Sequence, residues 1–134
     1  MEEGYSVTLK EVIDDFQLEI VNGHELIDDI LVTVSDINRP GLQLAGYMEY
    51  YGNYRIQIMG MAEISYIKKM SPEERYKRLD EFFALEFPCL IVTRGLEIFD
   101  EMIEVSNKYH KPILRTNEIT SDFVAGLIKY LNVQ

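Results

Sequence analysis

Residues 87–95 read FPCLIVTRG: an aromatic and a proline, four consecutive apolar side chains, then threonine, arginine and glycine. A strand with one wet face alternates apolar and polar residues, whereas an unbroken apolar run suits a strand covered on both faces, as in a parallel sheet. Cys89 to Val92 therefore decides the fold, because such a strand requires helices on both sides of its sheet. Pro88 releases the chain into it and Gly95 punctuates its exit.

Upstream of this run, Arg55 to Met59 predicts a second strand that ends at Gly60. Between the two strands the spacing predicts a short helix over 62–70 and then a longer one. The longer helix is opened by Ser71-Pro72-Glu73-Glu74, which combines a cap, a proline at the first helical position and a glutamate at the capping-box position. Tyr76, Leu79, Phe82 and Phe83 give it an apolar stripe. Downstream, Ile98, Phe99, Met102, Ile103 and Ser106 line one face of a helix, and Pro112 to Arg115 is a short strand. Phe123, Val124, Leu127, Ile128 and Leu131 mark a terminal helix behind Thr120-Ser121-Asp122. Strand and helix alternate in the order of βαβ units.

At the other end, Leu9, Val12, Ile13 and Phe16 recur at i, i+3, i+4, i+7 behind a Thr8–Glu11 capping box, which predicts a helix over 8–16. Leu18 to Val21 and Ile30 to Ser35 read as two short strands, with Asn22-Gly23 marking a turn between them, so the two are expected to pair or lie near each other. The expected architecture is α/β: three layers, α/β/α, around a mostly parallel or mixed sheet of about five short strands, in one domain over 5–131.

Bulk properties narrow the function classes. The chain has 134 residues, enough for one core, and a net charge of −10, which argues against a nucleic-acid backbone or an anionic membrane as the main partner. A single cysteine, Cys89, permits no internal disulfide and points to a reducing cytoplasm. Its apolar neighbours make it a core side chain rather than a nucleophile. The first residues lack the basic and apolar regions of a signal peptide, and no stretch approaches the roughly 18 apolar residues of a membrane span, so neither export nor anchoring is expected.

Chemistry-bearing motifs are few. Gly41 and Gly46 have the spacing of a phosphate-binding loop, but Tyr47 and Met48 stand where that loop requires lysine and serine or threonine. His24 and His110 fall in turns without a ligand set, so no metal site is expected. Asp14-Asp15, Asp28-Asp29 and Glu73-Glu74 are neighbours that point apart, which suits solvated faces rather than acid–base couples. No catalytic residue can be assigned.

The remaining signal is positional. Ligands of open α/β sheets sit beyond the carboxyl ends of the strands, where the sequence places Asn38, Arg39 and Gly41, then Gly60, then Thr93, Arg94 and Gly95, then Arg115 and Thr116 with Asn117. Three of six arginines fall there. Guanidinium forks, hydroxyls and helix-end amides would suit an anion. The alternative is that Arg39, Arg94 and Arg115 pair with carboxylates such as Asp36, Glu97 or Glu118 and fasten loops. Asn38-Arg39-Pro40-Gly41 reads as a turn with Pro40 fixing φ and Gly41 permitting positive φ, aiming Arg39 at the crevice while Leu42, Leu44, Ala45 and Tyr47 pack behind.

The run from Asp36 to Arg75, with D-x-N-R-P-G-L-x-L-A-G-Y at Asp36 to Tyr47, I-V-T-R-G at Ile91 to Gly95 and P-I-L-R-T at Pro112 to Thr116, closely resembles the N-terminal domain of bacterial HPr kinase/phosphorylase. The likeness runs from about Tyr5 to Leu131. It implies a bifunctional parent enzyme of carbon catabolite regulation that phosphorylates a serine of the phosphocarrier HPr with ATP or pyrophosphate, and removes that phosphate by phosphorolysis. The P-loop, magnesium and acid–base groups of such a parent belong to a C-terminal kinase domain, none of which is in this sequence. On this resemblance the chain is a non-catalytic regulatory or assembly domain that needs no cofactor of its own. The resemblance further implies a hexameric parent with paired N-terminal domains, hence self-association, for which Tyr47, Tyr50, Tyr51 and Tyr54 are candidate surface residues. A stand-alone sensor of a phosphorylated metabolite or nucleotide is the other reading. The fold also looks similar to the small uridine-nucleotide-binding domain that opens some Mur ligases.

Overall fold

The computed structural model describes residues 6–48 and 54–133; Tyr50 and Tyr51 lie outside them. In chain order the elements are β1 (Val7–Thr8), α1 (Leu9–Phe16), β2 (Glu19–Asn22), a 3₁₀ turn (His24–Asp29), β3 (Leu31–Val32), β4 (Ile37–Asn38) and α2 (Gly41–Leu44). There follow β5 (Ile56–Met59), α3 (Met61–Lys68), α4 (Pro72–Phe83), β6 (Leu90–Val92), α5 (Asp100–Tyr109), β7 (Ile113–Arg115) and α6 (Thr120–Asn132).

Five strands form a mixed sheet in the order β2-β7-β6-β5-β4, in which β4 to β7 run parallel and β2 is antiparallel to β7. The apolar run of β6 sits at its centre, wholly buried. Alternate residues of the inner strands serve opposite faces, as the pleat dictates. Ile56, Ile58, Cys89, Ile91 and Leu114 join a core closed by α1 and α6 through Leu9, Val12, Phe123 and Leu127. Met59, Leu90, Val92 and Ile113 join a second core closed by α2 to α5 through Leu44, Ile64, Leu79, Phe82 and Met102. The result is the three-layer α/β/α arrangement expected from the sequence.

Local chemistry explains several boundaries. Thr8 Oγ1 accepts from the Glu11 N–H at 3.0 Å and Glu11 Oε1 accepts from the Thr8 N–H at 3.0 Å, so both halves of the capping box start α1. Ser71 Oγ accepts from the Glu74 N–H at 3.1 Å ahead of Pro72, starting α4.

Three expectations are corrected. β2 and β3 do not pair: β2 joins the main sheet beside β7, while β3 makes a two-stranded antiparallel ribbon with β1. The cause is Gly23, which at φ 91° turns the chain into the 3₁₀ segment and packs so closely on Pro112 that a Cβ would lie 2.8 Å from its Cα. The run from Ile30 to Ser35 supplies only the two residues of β3. Lastly, α6 begins at Thr120 with Ile119 in the capping position and no side-chain cap, because the Thr120 hydroxyl turns inward instead.

Candidate functional site

Four parallel strands deliver their following loops to one edge of the sheet, so the residues selected from sequence do come to the same end of the molecule. Arg39 follows β4, Gly60 follows β5, Thr93 to Gly95 follow β6, and Arg115 ends β7 ahead of Thr116. What they do there is set by their partners.

Arg39 makes a two-point bond to Glu63 of α3, Nε to Oε2 at 2.8 Å and Nη2 to Oε1 at 2.7 Å. Glu63 is 6 % exposed, and its Oε1 also accepts from the Gly60 N–H at 2.8 Å, so one buried carboxylate caps α3 and anchors Arg39 together. Arg115 makes the equivalent fork with Glu19 across the β2–β7 pair, at 2.9 and 3.0 Å, and donates through Nη1 to the Leu96 carbonyl at 3.0 Å. The hydrogen bond from Arg115 holds the Glu19 carboxyl below the usual carboxylate range and raises the Arg115 pKa in turn. Two of the three arginines therefore fasten loops, with partners other than those expected: Asp36 faces Arg55 and Glu97 faces Lys68.

Arg94 differs. Its side chain is exposed, has no ion-pair partner among the described residues, and its backbone lies in the left-handed region at φ 59°. Backbone bonds hold it there: Arg94 N–H to Glu118 O at 2.8 Å, and Gly95 N–H to Thr116 O at 2.9 Å.

The loops after β4, β5 and β6 lead to helices in the second core, whereas the loop after β7 leads to α6 in the first. Loops that part to opposite sides open a crevice between neighbouring strands, here between β6 and β7. That gap is stitched by the two backbone bonds, by Asn117 Oδ1 against Gly95, and by the Thr93–Thr120 hydroxyl contact of 2.6 Å below them.

The Asn38 side chain donates to Gln43 Oε1 at 3.1 Å and to Gln57 Oε1 at 2.7 Å, tying the turn to the sheet interior. Gly41 does not adopt positive φ: it opens α2 with nothing near a hypothetical Cβ, and the left-handed glycine is Gly46 at φ 102°. Of the residues expected to pack behind Arg39, Leu44 is buried, but Leu42 and Tyr47 are 55 % and 62 % exposed. The single turn of α2 faces Gln43 and Leu44 inward and leaves Leu42 outside. A largely apolar cleft of about 300 Å³ lies between α2 and α3, lined by Gly41, Ala45, Ala62, Glu63 and Tyr66. Among the described residues no cluster of His, Cys, Asp and Glu could hold a metal ion, and no helix is long and apolar enough to cross a membrane.

Sequence reasoning did not select Glu19, Glu63 or Thr120. Glu63 carries a legible signal, since it stands at the capping-box position three residues after the Gly60 that ends a strand. Glu19 carries none, because its partner lies 96 residues away.

Fold and edge together define a class: a three-layer α/β/α domain whose strand-end rim is bound by arginine–glutamate forks. The same fold is found in the crystal structure of the CBS and DRTGG domains of the regulatory region of a Clostridium perfringens pyrophosphatase, complexed with the activator diadenosine tetraphosphate. The likeness has a TM-score of 0.59 over 90% of this chain and 45% of that one, at 21% sequence identity. The family model described as HPr Serine kinase N terminus matches residues 7–131, and the chain belongs to that family. An HPr kinase/phosphorylase of Clostridium perfringens strain SM101 is 44% identical over 126 residues, covering 94% of this chain and 40% of the relative. Those of Clostridium kluyveri and Caldanaerobacter subterraneus are 45% and 42% identical, covering 96% and 94% of this chain and 41% of each relative. The chain thus spans about two fifths of the length of these curated relatives.

Proposed function

We propose that the chain is a non-catalytic regulatory or assembly domain of an HPr kinase/phosphorylase, its phosphotransfer machinery lying in the part of such enzymes that this chain does not span. Support comes from the family match together with one local observation. The only glycine pair spaced like a phosphate loop is the single helical turn of α2 and its exit, with Gln43 and Leu44 buried beneath it and Tyr47-Met48 after it. A phosphate cradle needs free amides and a lysine at that place. On this reading ATP or pyrophosphate and magnesium serve the parent enzyme, HPr is the parent's substrate, and the domain itself works in the cytoplasm by pairing with its copies. Incubating the purified chain with HPr, magnesium and ATP yields no phosphoserine on HPr; phosphorylation above a no-enzyme control overturns the reading. Self-association is checked by sedimentation, where a monomer at every concentration removes the pairing role from the isolated domain.

One observation favours a second reading, a sensor of phosphorylated metabolites: the exposed Arg94 guanidinium, without an ion-pair partner among the described residues and carried on a left-handed backbone. Titrating phosphate, pyrophosphate or a uridine nucleotide then shifts the amide resonances of residues 93–95 and 115–117. Unmoved resonances leave those loops with a fastening role alone.

A further inference from the structure

The stretch Ile37 to Tyr47 is attached to the body in an unusual way. Among the described residues its backbone joins the sheet through only two residue pairs, Ile37 with Ile56 and Asn38 with Gln57. Beyond them its amide bonds turn inward on itself: Leu44 N–H to Pro40 O, Gly46 N–H to Gln43 O and Tyr47 N–H to Leu42 O. Leu44 and Gln43 are buried, whereas Leu42 and Tyr47 face solvent. The stretch's apolar ties are Leu44 in the second core, the buried Pro40 and Ile37 against the first core, and its polar ties are Asn38 to Gln43 and Gln57 and the Arg39–Glu63 fork.

Beneath the far end lies a group that the present position leaves unsatisfied. Gly46 rests against the Arg78 guanidinium, where a Cβ would stand 2.8 Å from Nη1, and Arg78 Nε is buried without a hydrogen-bond partner among the described residues. Water would satisfy that donor if the stretch lifted, so closure carries a cost that opening recovers. Segments with a short ladder to the sheet and self-contained backbone bonds open ahead of the global fold.

We propose that Ile37 to Tyr47 is a strap with two positions, latched shut by Arg39–Glu63, biased towards opening by Arg78, and pivoting at the short β4 pairing. Lifting it withdraws Leu44 from the core it shares with Met59, Ile64, Leu79 and Phe82, and extends the cleft between α2 and α3 into an apolar recess. The strap is a conformational device that decides whether this recess is covered.

Hydrogen–deuterium exchange of the full chain, read by mass spectrometry, tests the proposal through two substitutions of opposite effect. Glu63→Gln keeps an acceptor for the Gly60 amide while removing the charge that grips Arg39. It accelerates exchange at residues 44–47 on the order of tenfold and leaves β6 and α6 unchanged. Arg78→Met keeps an apolar stem and deletes the unmet donor, and it slows the same amides. Acceleration shared by every peptide, loss of the folded state with the latch, indifference of residues 44–47 to Glu63→Gln, or their loosening in Arg78→Met each overturns the proposal.

Discussion

Gly60 and Gly41 lie on the same rim, and only one of them needs to be glycine. A Cβ on Gly60 would stand 2.6 Å from Thr120 Oγ1 and 3.0 Å from Arg39 Nη2, both held by their own hydrogen bonds. Gly60→Ala is expected to cost about 1–3 kcal/mol through overpacking, read as a lower denaturation midpoint. Gly41→Ala meets empty space at helical φ, so it is expected to stabilise by about 0.4–1 kcal/mol in the same assay. Glu19 offers a test by pH. Its folded pKa is depressed by Arg115, so its contribution is present above the unfolded value of about 4.3 and is lost as pH falls through the lower folded value. The stability gap between the wild type and Glu19→Gln is therefore largest at neutral pH and closes in acid. Because Glu19 is 55 % exposed, the gap also shrinks in about 1 M salt.

Elements whose start is written in adjacent residues are the most legible. Thr8 with Glu11, and Ser71 with Pro72, announce α1 and α4 from a few neighbouring letters, since a cap is a local bond. Thr8→Ala removes the cap of α1 and is expected to cost about 1 kcal/mol in a thermal or denaturant melt, with circular dichroism reporting the loss. The doubly covered run of β6 likewise signals the layered sheet. The pairing of β2 is not legible: an Asn-Gly step implies a hairpin, and only the approach of Gly23 to Pro112, 89 positions along, diverts it. The candidate rim is legible as a place and not as a chemistry. Position along the strands brings arginines to one edge, but whether each is free or engaged depends on Glu19 and Glu63, which sit on other elements. The expected packing of Leu42 and Tyr47 behind the Asn38–Gly41 turn also fails, because the one turn of α2 faces only Gln43 and Leu44 inward.

For the whole molecule, two cores back to back make the sheet the least accessible layer. Cys89 sits wholly buried on the α1–α6 side, and burial pushes its thiol far above the ordinary range. It is expected to resist alkylation in buffer and to react fully in denaturant, so its labelling rate reports global opening; rapid labelling of the native chain would show a looser centre. The central strands have another consequence. Because β5 and β6 present oily side chains to both sides, a one-residue slip would still bury oil against oil, and hydrophobicity could not detect the error. The indexing falls to a few polar pegs: the Gln57 amide, which must meet Asn38, and the Thr93 hydroxyl, which must meet Thr120. Only one alignment of the sheet lets both pegs find their holes.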